Sequence, residues 1–107
     1  MNYIGETTLQ RLIDCGLDTT AIPHNPMRFT LEEALDWLKY THGIWVSCAL
    51  KSHKYSAEIN RYRYGRQVGA TLILNKKYNT KEEAKYGAVD FIAFHILTTN
   101  HYAQHRD

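Results

Sequence analysis

The chain has 107 residues, 44% hydrophobic and 22% charged, the size and mix of one folded globular domain, which excludes a low-complexity or repeat-built chain. No apolar run approaches the roughly 20 residues that span a bilayer, and the N-terminus lacks the charged-then-apolar pattern of a secretory leader, so a cytoplasmic protein is expected, in whatever cell makes or hosts it. The net charge of +2 conceals a polarity: residues 51–85 carry nine Lys and Arg against three Glu, while residues 1–50 carry three against six Asp and Glu.

In chain order, "TTLQRLIDCG" reads as a short helix with Leu9, Leu12 and Ile13 on one face and Gly16 as its stop. "AIPHNPMRF" follows, an irregular crossing marked by two prolines and Asn25. "TLEEALDWLKYTHG" has Thr30 as N-cap, Glu33 at the capping-box position, a Leu31–Ala34–Leu35–Leu38 stripe and Gly43 at its end.

The period then changes to two. "IWVSCAL" sets Ile44, Val46, Cys48 and Leu50 against Trp45, Ser47 and Ala49, and predicts a strand. "KSHK" is a polar turn. "YSAEINRYRY" is a second strand, with Gly65 supplying the next turn. "QVGATLILN" predicts a third strand with Val68, Ala70, Leu72 and Leu74 on one side. "TKEEAKYGAVDFIAFHIL" predicts the last helix, capped by Thr80 with Glu83 at the capping-box position, its buried stripe formed by Ala84, Ala88, Phe91, Ile92, His95 and Ile96. Gly87 lowers helix propensity there, and close approach to the sheet is the expected reason.

The expected fold is α+β: a three-stranded antiparallel sheet with helices packed on one face, in the order α-α-β-β-β-α, the other sheet face being wet. The chain reads as a single domain over 1–107, with an N-terminal helical extension over 1–28, an α-β-β-β-α body over 29–97 and a polar tail over 98–107.

Two groups of cations stand out. "RYRYGR" places Arg61, Arg63 and Arg66 beside Tyr62 and Tyr64, a combination suited to carboxylate or phosphate contacts with aromatic anchors. Alternation puts Arg61 and Arg63 on one side of the strand and Tyr62 and Tyr64 on the other. Lys76, Lys77, Lys81 and Lys85 lead into the N-terminus of the last helix, where free N–H groups favour anions. Glu82 and Glu83 oppose them. A solvated outer face with Arg stems lying over Tyr rings is the plainer reading of the same residues.

Reactive chemistry finds little footing. Cys15 and Cys48 have no Cys-x-x-Cys spacing and read as reduced thiols, a single disulfide being the lesser option, with Cys48 on the core side of its strand. His101 and His105 are four apart, but no further ligand stands at a defined spacing, so no metal site is expected. There is no phosphate-cradling Gly loop and no nucleophile elbow. Glu82 and Glu83, being adjacent on a helix, point apart and form no acid–base pair. Neither catalysis nor a cofactor is expected.

The α-β-β-β-α order over 30–97 resembles the double-stranded-RNA-binding domain. That family opens its last helix with Lys-Lys-x-x-Lys; in "TKEEAK", Lys81 and Lys85 match the outer positions and Glu82 replaces the middle lysine. The family's Gly-Pro-x-His loop is matched by His53 alone, and its first helix corresponds here to one bearing Glu32, Glu33 and Asp36. Over a longer stretch, "FTLEEALDWLKYTHGI" and "YNTKEEAKYGAVDFIAFHIL" resemble small proteins of phages and mobile elements of Bacteroides-type gut bacteria. Compact proteins of that kind, anti-CRISPR and other anti-defence proteins among them, work by binding a host protein.

The resemblance implies a non-catalytic binding protein that occludes a host protein, in particular a nucleic-acid-handling defence complex. The contact set expected is Arg61, Tyr62, Arg63, Tyr64 and Arg66, with Lys81 and Lys85 beside it, or the acidic helix side at Glu32, Glu33 and Asp36. The alternative is a divergent double-stranded RNA or DNA binder using Lys81, Lys85, His53 and the hairpin arginines. The third is a structural protein that homo-oligomerises through the open sheet face.

Overall fold

A computed structural model describes residues 3–22 and 24–97. The tail over 98–107, with His101 and His105, lies outside the described residues.

Helix α1 (Glu6–Asp14) turns Leu9 and Leu12 into the core and stops where Gly16 takes a left-handed φ of 114°. Polar contacts fix it to the rest of the molecule. The Ile4 amide donates to the Phe29 carbonyl at 2.8 Å, the Thr8 hydroxyl to Asp90 at 2.5 Å, and the Tyr86 hydroxyl to the Tyr3 carbonyl at 2.9 Å. Two short 3-10 turns, Thr19–Ala21 and Pro26–Arg28, are capped by Asp18 and Asn25.

Helix α2 (Leu31–His42) carries the expected capping box: the Glu33 amide donates to the Thr30 hydroxyl oxygen at 3.1 Å, and the Thr30 amide donates back to the Glu33 carboxylate at 3.1 Å. The same carboxylate receives His24 Nε2 at 2.9 Å, while His24 Nδ1 lies 2.8 Å from the Asn25 carbonyl. Both groups facing the ring are acceptors, so both ring nitrogens donate and the arrangement calls for the imidazolium. The hydrogen bonds to Asn25 and Glu33 accordingly raise the His24 pKa.

Gly43 ends α2 at φ 66°, and a Cβ there would collide with the Tyr62 backbone carbonyl. The close approach is a hydrogen bond: the Tyr62 amide donates to the Gly43 carbonyl at 2.8 Å.

Strand β1 (Ile44–Lys51) pairs antiparallel with β2 (Lys54–Arg63) in an unbroken register from Ile44–Arg61 to Lys51–Lys54. The connection is two residues, Ser52 and His53, both at positive φ, the turn geometry whose twist matches a strand pair. A second two-residue turn, Tyr64–Gly65, also at positive φ, leads to β3 (Arg66–Gln67).

The predicted third strand is not continuous. Only β3 and β4 (Leu72–Ile73) are laddered to β2, and Tyr78 makes an isolated bridge to Tyr55. Between the Tyr62–Gln67 and Glu58–Ile73 pairs, β2 advances four residues and its neighbour six, so two residues bulge out near Gly69, at φ 73°. The alternation of Val68, Ala70, Leu72 and Leu74 is therefore not buried: only Leu74 reaches the core.

Helix α3 (Lys81–Phe91) opens on Thr80, whose hydroxyl oxygen accepts from the Glu83 amide at 3.1 Å; Glu83 does not return the bond. Residues Ile92–Leu97 continue it as a π-helix. The wider turn rotates the buried face, so Ala93 and Leu97 are buried while His95, expected in the stripe, is exposed. Gly87 is explained by the Tyr78 hydroxyl, which stands where its Cβ would be.

The fold is α+β, with helices packed against one face of an antiparallel sheet. Leu12, Leu31, Leu38, Ile44, Ile59 and Ile92 form the centre of the core, each worth about 2 kcal/mol of burial.

Candidate functional site

Residue parity along β2 decides which side chains share a face. Ala57 and Ile59 are buried under the helices, and Arg61 and Arg63 continue that face past the helices' cover. Arg66, directly opposite Arg63, joins them. Every residue from Arg61 to Ala70 is exposed, so the end of β2 and β3 form a projecting two-stranded arm. Tyr64, at its tip, is 97% exposed.

Arg61, Arg63 and Arg66 make no salt bridge among the described residues. Arg63 and Arg66 face each other as a cross-strand pair, an arrangement that destabilises a ribbon by like-charge repulsion.

The opposite face of the arm is different. Tyr62 packs edge-to-face on Trp45, ring centroids 5.8 Å apart. Lys39, from the last turn of α2, places its ammonium 4.0 Å from the Trp45 ring centroid and 5.3 Å from that of Tyr40. Tyr40, Lys39, Trp45 and Tyr62 thus form a continuous ridge, with Tyr40 77% exposed. Beyond it, Asn60, Gln67 and Thr71 bridge the bulge: the Thr71 hydroxyl donates to Asn60 at 2.5 Å, and the Gln67 amide donates to both at 3.2 Å.

The lysines lie elsewhere. The Lys81 carbonyl is 3.8 Å from the Cys48 sulfur, and Cys48 is opposite Ala57. Six residues of β2, about 20 Å at the usual strand rise, separate that point from Arg63. The expectation that Lys81 and Lys85 stand beside the arginines is corrected: β2 is ten residues long, and the chain runs back along it before α3 begins. His53 sits in the turn at this far end, together with Lys51 and Lys54.

Three of these lysines have partners within the fold. Lys54 donates to the Asn79 side chain. Lys85 lies 3.8 Å from Glu32. Lys76 stands 5.3 Å from the Tyr78 ring centroid. Lys54, Lys76 and Lys77 rim a groove of about 770 Å³ whose walls are Tyr78, Tyr86, Phe91 and Phe94. Glu83 and Asp90 enter the same groove, so its charge is mixed.

Cys48 is half-buried, and its burial raises the thiol pKa. Cys48 is not in a disulfide. Among the described residues no three His, Cys, Asp or Glu side chains group as metal ligands, and no helix is long and apolar enough to cross a membrane.

The sequence pointed to the arm's arginines and tyrosines but not to Trp45, Lys39 and Tyr40. The available signal was a Trp on the outward side of a strand that starts directly after a helix stop. Compared with protein-family models, curated proteins and solved structures, the chain matches none.

Proposed function

We propose that the protein is a non-catalytic binding protein whose arm and aromatic ridge cover an acidic surface of a partner protein. The phage-type resemblance makes that partner a host protein, in particular one of a nucleic-acid-handling complex that the docked chain occludes. One observation carries the reading: three guanidiniums with no salt bridge among the described residues share one face of a projecting hairpin, backed by exposed Tyr64, Tyr62 and Trp45. Arg, Tyr and Trp are the residues that dominate protein–protein binding energy. Guanidinium forks pair with carboxylates in two parallel bonds, and the aromatic rings supply area that loses water on contact.

The test is capture of the partner from host lysate by the tagged protein, followed by binding of the purified partner to an Arg61→Glu/Arg63→Glu variant. The reading expects a loss of about 100-fold or more, with the fold unchanged. Undiminished partner binding by the variant overturns it. Salt-sensitive binding of any duplex instead of a protein overturns it in favour of the nucleic-acid alternative.

A further inference from the structure

Strand β1 is an edge of the sheet: among the described residues its only strand neighbour is β2. The hydrogen-bond parity of the pair is fixed at both ends. The Tyr62 amide donates to the Gly43 carbonyl, and the two-residue turn closes on Lys51–Lys54. Trp45, Ser47, Ala49 and Lys51 therefore direct their amides and carbonyls at β2, and Val46, Cys48 and Leu50 direct theirs outward. None of those outward groups has a hydrogen-bond partner among the described residues.

Natural edges are normally blunted by proline, a bulge or interior charges. Strand β1 has no proline and no bulge, and its one charge, Lys51, is at the end. Trp45 and Leu50, 46% and 61% exposed, flank the open stretch. The charges around it are mainly positive. Lys39 lies over Trp45 at one end, and Lys51 and Lys54 close the other. Lys81 and Lys85 stand on the helix side, close enough to bias the Cys48 thiol toward its anion against burial. Opposing them are Glu58, on the far side of β2's pairing with Ser47, and Glu32, held by Lys85.

We infer that the outward edge of β1, at Val46, Cys48 and Leu50, is a strand-addition site for an extended acidic segment of a partner protein. The backbone ladder supplies affinity, and Lys39, Lys51 and Lys81, which form no salt bridge among the described residues, select carboxylate side chains. A second copy of the chain fits less well, because an antiparallel pairing centred on Cys48 brings Lys51 of one copy against Trp45 and Lys39 of the other. This inference rests on the reading of the chain as a protein-binding module, but not on the arm.

The test is NMR of the labelled intact protein with a capped peptide of alternating Val and Glu, matched to the length of β1. Expected are saturable binding about tenfold tighter than for the matching Val–Lys peptide, and slowed exchange of the Val46, Cys48 and Leu50 amides. The Trp45, Ser47 and Ala49 amides, already bonded to β2, do not change. A Leu50→Pro variant removes an outward N–H without breaking the β1–β2 ladder and weakens the peptide about tenfold or more. The native-protein exchange pattern decides by itself if that variant misfolds. No binding, equal binding of both peptides, or binding that leaves the three amides exchanging freely overturns the inference. Protection of those amides in the free protein with a dimeric elution overturns it in favour of a second copy. Peptide binding that persists in Arg61→Glu/Arg63→Glu, while partner binding also persists, supports the edge and refutes the arm. The reverse pattern refutes the edge and leaves the arm standing.

Discussion

The two ends of β2 carry the same kind of turn and nearly the same charge, yet they are built differently. At one end the Ser52–His53 turn sits among lysines of which three already have partners: Asn79 for Lys54, Glu32 for Lys85, the Tyr78 ring for Lys76. At the other, the Tyr64–Gly65 turn caps an arm whose arginines have no acidic partner among the described residues. The contrast teaches that a cation count does not locate a docking surface. A cation satisfied within the fold gives up little binding energy to a newcomer, whereas one held in place and unpaired is available.

The arm's dependence on its root sharpens that contrast most strongly. Gly43 has both a left-handed φ and a carbonyl where its Cβ would go. Gly43→Ala is expected to lose about 2–4 kcal/mol of stability, read by urea denaturation, and to broaden the NMR signals of residues 61–67. An unchanged denaturation midpoint would break the link between α2's end and the arm. Next in size is the ridge. Trp45→Ala removes the ring between Lys39 and Tyr62 and is expected to weaken partner binding about tenfold; titration calorimetry that finds no change would confine the surface to the arginine face.

Charges wired within the fold act on stability instead of binding, and His24–Glu33 shows the sign. The His24 pKa is raised from 6.5 by its bonds to Asn25 and Glu33, with Arg28 opposing. Burial pushes the Glu33 carboxyl up, but bonds from His24 and Thr30 outweigh it and hold the pKa below 4.5. The His24 contribution is complete below 6.5 and lost as pH rises through its raised value. The Glu33 contribution is present above 4.5 and lost as pH falls through its lowered value. Tm measured against pH is thus expected to decline as pH rises above 6.5 and through the raised His24 value, and His24→Gln to flatten that decline. The smallest effect is at the lysine end: Glu32→Gln, freeing a partly exposed Lys85, shifts stability by less than about 0.5 kcal/mol.

Much of this fold was legible in the sequence because local signals agreed with tertiary structure. Thr30, Glu33 and Gly43 bracket α2 as read, and the period-two run gives β1 and β2. The third strand was misjudged because alternation in "QVGATLILN" resembles a buried face; the pairing shifts near Gly69 depend on contacts with Asn60 and β2 that no local pattern records. His95 was misplaced because the π-helical turn changes the period from within. The arm was visible as "RYRYGR". Its separation from Lys81 and Lys85 was not, since sequence proximity says nothing of the length of the strand between them.

The most direct measurement compares two charge reversals against the purified partner by calorimetry: Arg61→Glu/Arg63→Glu at the arm and Lys76→Glu/Lys77→Glu at the other end. The account predicts a loss of about 100-fold or more for the arm and less than about threefold for the lysines. Equal losses, or a larger one at the lysines, would contradict it.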